Sequence, residues 1–112
     1  MSTNRLDAAF EDRFIKISVD YMRSDQEVSL ILQRVEGINK MDAEALVREA
    51  NALRAAEQNG TLSVSLSTRQ VLDAAAYCTL GYTSADVINK VILSNYIIAD
   101  ELDTARTILQ AL

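Results

Sequence analysis

The stretch SLSTRQVLDAAAYC, residues 65–78, places a cation at the predicted start of a helix. Ser67 and Gln70 have the spacing of a capping box, so the helix is predicted to begin at Thr68. Arg69 then lies in the first turn, where unpaired N–H groups and the macrodipole present about half a positive charge and favour anions. An arginine there needs a reason. A local one is an ion pair with Asp73, four residues further along the same helix.

Other residue types that commonly carry chemistry are scarce. The chain has one cysteine, Cys78, and no histidine, which excludes the usual zinc sets and histidine general bases. Cys78 is therefore predicted to be a small core residue and not a nucleophile. No glycine pair is followed by lysine at the G-x-x-x-x-G-K-[ST] spacing that cradles phosphates. These 112 residues are not expected to hydrolyse ATP or bind a metal alone.

Composition limits the class of protein further. The length predicts one domain, and the 49% hydrophobic content is enough for a packed core. The formal charge of -5, with no basic cluster, argues against nucleic acid and anionic lipid as partners. Apolar runs are short, and a signal-peptide pattern is missing, so a cytoplasmic location is expected.

The periodicity over residues 23–112 predicts a bundle of about five helices. A second capping box, from Ser24 to Glu27, is predicted to begin the first helix, and Thr83 to cap the fourth. Glycines 37, 60 and 81 separate the helices. The predicted inward faces, helix by helix, are Val28, Ile31, Leu32 and Val35; Ala43, Leu46, Val47, Ala50 and Leu53; Val71, Leu72, Ala75 and Ala76; Val87, Ile88, Val91 and Ile92; and Leu102, Ala105, Ile108, Leu109 and Leu112.

The N-terminal residues do not fit that bundle. RFIKISVDY, residues 13–21, alternates apolar and polar side chains as a strand does. A lone strand leaves its backbone unpaired, and the only other candidate, residues 62–66, is short. Residues 3–20 are therefore predicted to be the last helix and strand of a larger α/β core whose earlier part precedes Met1. The predicted division is 1–22 for the end of that core and 23–112 for the helical domain.

The order of these segments resembles a known family. TNRLDAAFEDRFIKISVDY, followed by a helical region and NGTLSVSLSTRQVLDAAAYC, is similar to the C-terminal half of AAA+ ATPases of the MoxR and dynein-related group. The similarity is closest to cobaltochelatase small subunits. It implies that the final core strand is followed by a helical lid, which an S-T-R turn opens.

The resemblance gives two arginines a function. Arg69 matches the sensor-2 arginine, which reaches from the lid to the β- and γ-phosphates of ATP, beside Ser67 and Thr68. A helix N-terminus is itself an anion site, and a guanidinium adds charge and fork-shaped donors. Arg13 matches the arginine finger, which acts in trans on a neighbouring subunit's γ-phosphate. An ion pair of Arg13 with Glu11 or Asp12 is the local alternative.

The resemblance also implies the activity and partners of the parent protein. ATP and Mg²⁺ would bind in that parent, a ring of identical subunits that remodels a protein partner or complex, as chelatases and chaperones do. An alternative interpretation is a helical module that binds a protein partner independently of nucleotide. Tyr77, Tyr82 and Tyr96 are candidates for its contact residues. A helix-turn-helix over the third and fourth helices is disfavoured, because Lys90 is the one cation of the would-be recognition helix.

Overall fold

The computed structural model describes residues 21–63, 66–93 and 99–112; of residues 91–93 it describes the backbone. Within these ranges the chain forms a bundle of five helices, which confirms the predicted fold class. The helices are α1 (Ser24–Arg34), α2 (Lys40–Gln58), α3 (Thr68–Cys78), α4 (Ser84–Val87) and α5 (Leu102–Gln110). A π-helical turn, Ile88–Leu93, extends α4, and a 3-10 turn, Ala99–Glu101, leads into α5. The predicted helix and strand of residues 3–20, and Arg13 with them, lie outside the described residues.

The long helix α2 is the centre of the bundle. It packs against α1, α3, α4 and α5, and its predicted inward face is buried in full. Those residues recur at three- and four-residue spacing, which places them on one stripe of the helix. This buried stripe forms the part of the core against which the other helices pack. Its members are Ala43, Leu46, Val47, Ala50 and Leu53.

The turns after α1 and α2 depend on glycine. Gly37 and Gly60 have φ angles of 94° and 87°, in the left-handed region that a side chain disfavours. Both residues lie just beyond a helix end, where glycine commonly reverses the chain. The predicted helix boundaries at these glycines are therefore confirmed.

The structure corrects three of the predicted inward positions. Ala74 is buried on α3, whereas Ala76 is exposed, because the stripe facing α2 runs through Val71, Ala75 and Cys78. Leu32 and Leu112 are 38% and 57% exposed. Leu112 follows the last residue of α5, so the periodicity of that helix no longer fixes its direction.

The second predicted capping box is wrong. Helix α1 begins one residue after Arg23, which makes no side-chain cap, and Ser24 is already helical. The Ser24 hydroxyl accepts a hydrogen bond from Asn51 Nδ2 at 2.9 Å. Glu27 is fully buried and pairs with Arg54 of α2, and so it does not turn back to the helix start. By contrast, Thr83 caps α4 as predicted, through a hydrogen bond from the Asp86 N–H.

Cys78 lies in the core, as predicted. Burial raises the pKa of its thiol to about 11, and the negative charges of Asp42 and Glu49 act in the same direction. A thiol with so high a pKa supplies little thiolate, which argues against a nucleophilic role. In the described ranges, no helix has both the length and the apolar content needed to cross a bilayer.

Candidate functional site: the start of helix α3

The predicted capping box at the start of α3 is present with both of its hydrogen bonds. The Gln70 N–H donates to Ser67 Oγ at 3.2 Å, and the Ser67 N–H donates to Gln70 Oε1 at 2.9 Å. Ser67 has extended backbone angles, and Thr68 is the first helical residue. The sequence at this point therefore fixes where the helix begins, and with it the position of Arg69 in the first turn.

The cap leaves part of the helix terminus available. The first N–H groups of a helix have no intrahelical acceptor. Here the Ser67 hydroxyl accepts a hydrogen bond from the Gln70 N–H, and the Ser67 carbonyl accepts one from the Val71 N–H at 3.1 Å. Among the described residues, the N–H groups of Thr68 and Arg69 have no acceptor, which leaves them for solvent or a ligand. Backbone N–H groups at a helix N-terminus form an anion-binding site.

Arg69 extends from this turn into solvent. Its side chain is exposed, and it makes no ion pair with any residue in the described ranges. Asp73, the predicted local partner, is also exposed and is not within salt-bridge distance of it. The local explanation for a cation at this position is therefore not observed. Within the described part of the chain, Arg69 is thus a guanidinium without an ion pair beside N–H groups without acceptors, an arrangement suited to a phosphate or carboxylate.

A buried polar network lies directly beneath this turn. Arg54, 2% exposed, donates from both terminal nitrogens to the carboxylate of Glu27, at 2.7 and 2.8 Å. Its Nε donates to the carbonyl of Leu66 at 2.9 Å. The hydroxyl of Thr68 donates to Glu27 Oε2 at 3.2 Å. The network thus contacts the residues on either side of the Ser67 cap.

Two further residues complete the surroundings of Arg54. Asn51 Oδ1 accepts a hydrogen bond from its Nη1 at 2.9 Å. The ring of Tyr21 lies under the guanidinium, with 4.6 Å between Arg54 Cζ and the ring centroid. That separation is within the range of a cation–π interaction. Arg54 therefore makes four hydrogen bonds with its five N–H donors and is covered by an aromatic ring on one face.

Sequence reasoning missed this network, although the sequence carried a signal for it. Glu27 lies four residues before Ile31, and Arg54 four residues after Ala50, so each charge falls on the buried stripe of its helix. Charged residues of opposite sign on two buried stripes are rarely left unpaired. The capping-box interpretation of Glu27 obscured this signal.

A groove lies elsewhere among the described residues, between α1 and α2. Val28, Leu32 and Val47 are among the residues that line it, and Arg69 is not. At the start of α3, Ser67 and Arg69 are exposed. A phosphate bound there would need a facing surface from another domain to be enclosed.

Sequence comparison assigns this helical bundle to a family. The CbbQ/NirQ/NorQ C-terminal family matches residues 27–112. The chain belongs to this family and is a C-terminal segment of a MoxR-type AAA+ ATPase. The closer resemblance to cobaltochelatase small subunits is not confirmed.

A curated relative from Thauera aromatica supports the same conclusion. BssE, whose name describes it as a chaperone, is 35% identical over 72 residues, which are 64% of this chain and 24% of the relative. The matched part of this chain thus spans about a quarter of the length of that protein. No solved structure shows a significant match.

Proposed function

We propose that this chain acts as the lid of a ring-forming AAA+ ATPase and that Arg69 contacts the β- and γ-phosphates of ATP as its sensor 2. The observation that carries the proposal is the exposed guanidinium of Arg69 at a capped helix start, where neither it nor the first N–H groups have a partner among the residues that the structure describes. A phosphate at this terminus would reverse the unfavourable interaction of the arginine with the helix dipole.

Ser67 and Thr68 have supporting functions in this proposal. Ser67 fixes the helix start through the capping box, and Thr68 offers its backbone N–H to a phosphate oxygen. The Thr68 hydroxyl is directed at Glu27 and is not needed for ligand binding. ATP and Mg²⁺ would be held chiefly by the phosphate-binding core of the ATPase, and this chain alone is not expected to retain them.

Arg13 is proposed as the arginine finger of the ring, on the basis of the resemblance of its EDRF motif. An arginine supplied in trans stabilises the charge that develops during phosphoryl transfer and accelerates the reaction by roughly 10³-fold or more. In such a ring, two arginines of one subunit would serve two nucleotides, Arg69 its own and Arg13 a neighbour's. The energy of hydrolysis would remodel a protein partner or complex, in keeping with the chaperone named among the relatives.

The experiment uses this chain joined to the phosphate-binding core of its ATPase. Arg13→Ala should abolish turnover while ATP binding is largely kept. Arg69→Ala should weaken both, because it removes a contact to the phosphates. Arg34→Ala is the matched control, since Arg34 is an exposed arginine at the far end of α1. Wild-type turnover in both test variants would reject the proposal.

A second candidate function is supported by one surface. Tyr77, Leu80 and Tyr82 are 44%, 71% and 45% exposed and lie close together in sequence, from the last turn of α3 to the loop before α4. Tyr96 lies outside the described residues. An apolar surface of this kind is typical of protein contacts. In a nucleotide-independent interaction module, replacing these residues would abolish partner binding, whereas Arg69→Ala would have no effect.

A further inference from the structure

Burial of the ion pair of Glu27 and Arg54 carries a large desolvation free energy. Both side chains are almost completely removed from water, at 0% and 3% exposure. Desolvation of two charges commonly offsets their attraction, and apolar residues of similar volume often stabilise a fold equally well. Stability alone therefore does not explain the pair. Directional hydrogen bonds, which apolar residues cannot make, are what the pair adds.

Those directional bonds converge on the start of α3. Arg54 Nε donates a hydrogen bond to the carbonyl of Leu66, one residue before the cap. Glu27 Oε2 accepts a hydrogen bond from the hydroxyl of Thr68, one residue after the cap. Arg69 is the next residue. The backbone that leads into Arg69 is therefore hydrogen-bonded to an ion pair between α1 and α2.

The same network reaches the residues that precede the bundle. Asn51 accepts from Arg54 and donates to the Ser24 hydroxyl at the beginning of α1. Tyr21, three residues earlier, stacks on the Arg54 guanidinium. The segment that enters the bundle and the helix start that carries Arg69 thus share one buried arginine.

We propose that Glu27 and Arg54 are positioning residues, which hold the Ser67 turn in one orientation and thereby direct Arg69 toward the phosphates. This inference rests on the proposed function of Arg69. It assigns the pair a role in the response to nucleotide as well as in folding. A shift of Arg54 relative to Tyr21 would move the first turn of α3, because the pair is hydrogen-bonded to Leu66 and Thr68. A ligand shifts a lid between two arrangements only if it interacts differently with each of them.

The first test uses the 112-residue chain and amide hydrogen exchange. The double variant Glu27→Leu/Arg54→Met replaces the network by apolar groups of similar size. We expect the Gln70 and Val71 amides to exchange at least about tenfold faster, as loss of hydrogen bonds to charged groups implies. Amides in the centre of α2 should change less than about twofold. Unchanged exchange at Gln70 and Val71, or equal acceleration throughout the chain, would overturn the inference.

Two single substitutions keep this test decisive if the double variant folds poorly. Thr68→Val removes the hydroxyl that bonds to Glu27 with little change in shape, whereas Thr68→Ser retains a hydroxyl. Faster exchange in Thr68→Val and near wild-type exchange in Thr68→Ser are expected. Asp25→Asn is the matched control, since it removes a carboxylate that pairs with an arginine at 2.8 Å in solvent. The same exchange in all three variants would overturn the inference.

The second test measures coupling to Arg69 in the ATPase formed with the phosphate-binding core. Arg69→Ala should raise the KM for ATP by about tenfold in the wild-type background, but by less than about twofold in Glu27→Leu/Arg54→Met, because residues that act together are not additive. An equal effect of Arg69→Ala in both backgrounds would overturn the positioning role and leave the proposed function standing. No effect of Arg69→Ala in the wild-type background would reject the proposed function itself, and the inference with it.

Discussion

Two arginines near the start of α3 have opposite surroundings. Arg54 is buried, with hydrogen bonds from three of its nitrogens and an aromatic ring on one face. Arg69 is exposed and makes no ion pair in the described part of the chain. The same residue type thus has two different environments within one region. Partners within the chain accept four hydrogen bonds from Arg54, whereas Arg69 has no ion-pair partner in the described ranges.

The difference teaches what each arginine is able to do. A buried guanidinium with satisfied donors fixes geometry and has nothing left to offer a substrate. An exposed guanidinium contributes little to stability and retains its full capacity for a phosphate. Stability measurements should therefore respond to Arg54, and nucleotide measurements to Arg69.

The largest predicted effect comes from breaking the buried pair on one side. Arg54→Met leaves the Glu27 carboxylate buried without its counter-ion, which should cost about 3–5 kcal/mol of unfolding free energy. Urea denaturation followed by circular dichroism measures the loss. The double variant Glu27→Leu/Arg54→Met is the control and should recover most of it. A single variant that unfolds at the wild-type midpoint would show that the pair is not the structural unit described.

Removal of the cap tests the turn that both arginines approach. Ser67→Ala deletes the acceptor for the Gln70 N–H and should cost about 1 kcal/mol. Ser29→Ala, an exposed position within α1, is the matched control and should leave the unfolding midpoint nearly unchanged. Equal midpoints for the two variants would contradict the capping box.

Glu49 is a partly buried carboxylate without an ion pair in the described ranges. Its Oε1 has no hydrogen-bond partner among the described residues. Burial raises the pKa of this group, and the charge of Arg48 opposes that shift. A raised pKa means that ionisation disfavours the folded state, so the penalty is present at neutral pH. It is relieved as the pH falls through the raised pKa of the folded state, and the relief is complete below the ordinary value of 4.5.

Glu49→Gln should therefore stabilise the chain at pH 7, by less than about 1 kcal/mol because the side chain remains partly solvated. The advantage over the wild type should shrink on acidification, as thermal unfolding at pH 7 and pH 4 would measure. Glu44→Gln, an exposed position five residues earlier on the same helix, supplies the control. A Glu49→Gln variant that is less stable at neutral pH would refute this assignment.

The smallest effect is expected at the exposed pair of Arg23 and Asp25. Their side chains are 72% and 69% exposed, although the 2.8 Å distance matches that of the buried pair. Arg23 lowers the pKa of the Asp25 carboxyl through a hydrogen bond, yet solvent screens the interaction. Asp25→Asn should leave the denaturation midpoint within experimental error. A loss as large as that of Arg54→Met would mean that exposure does not separate the two classes of ion pair.

Local sequence predicted much of the site but not its support. The Ser67 cap, the Gly37 and Gly60 boundaries and the position of Arg69 in the first turn depend on residues a few positions apart, and a spacing rule captures them. The pair of Glu27 and Arg54 spans 27 residues and depends on how α1 packs on α2. Glu27 also fitted a capping box with Ser24, and only the tertiary contact decides between the two partners. The role of Arg13 stays a prediction from resemblance.

The affinity of the assembled ATPase for ATP and for ADP tests the central claim most directly, with Arg34→Ala as the control. If Arg69 contacts the β- and γ-phosphates, Arg69→Ala should weaken ATP binding by about tenfold, consistent with the loss of a charged hydrogen bond, and ADP binding by less. Equal Kd values for ATP in wild type and Arg69→Ala would contradict the account.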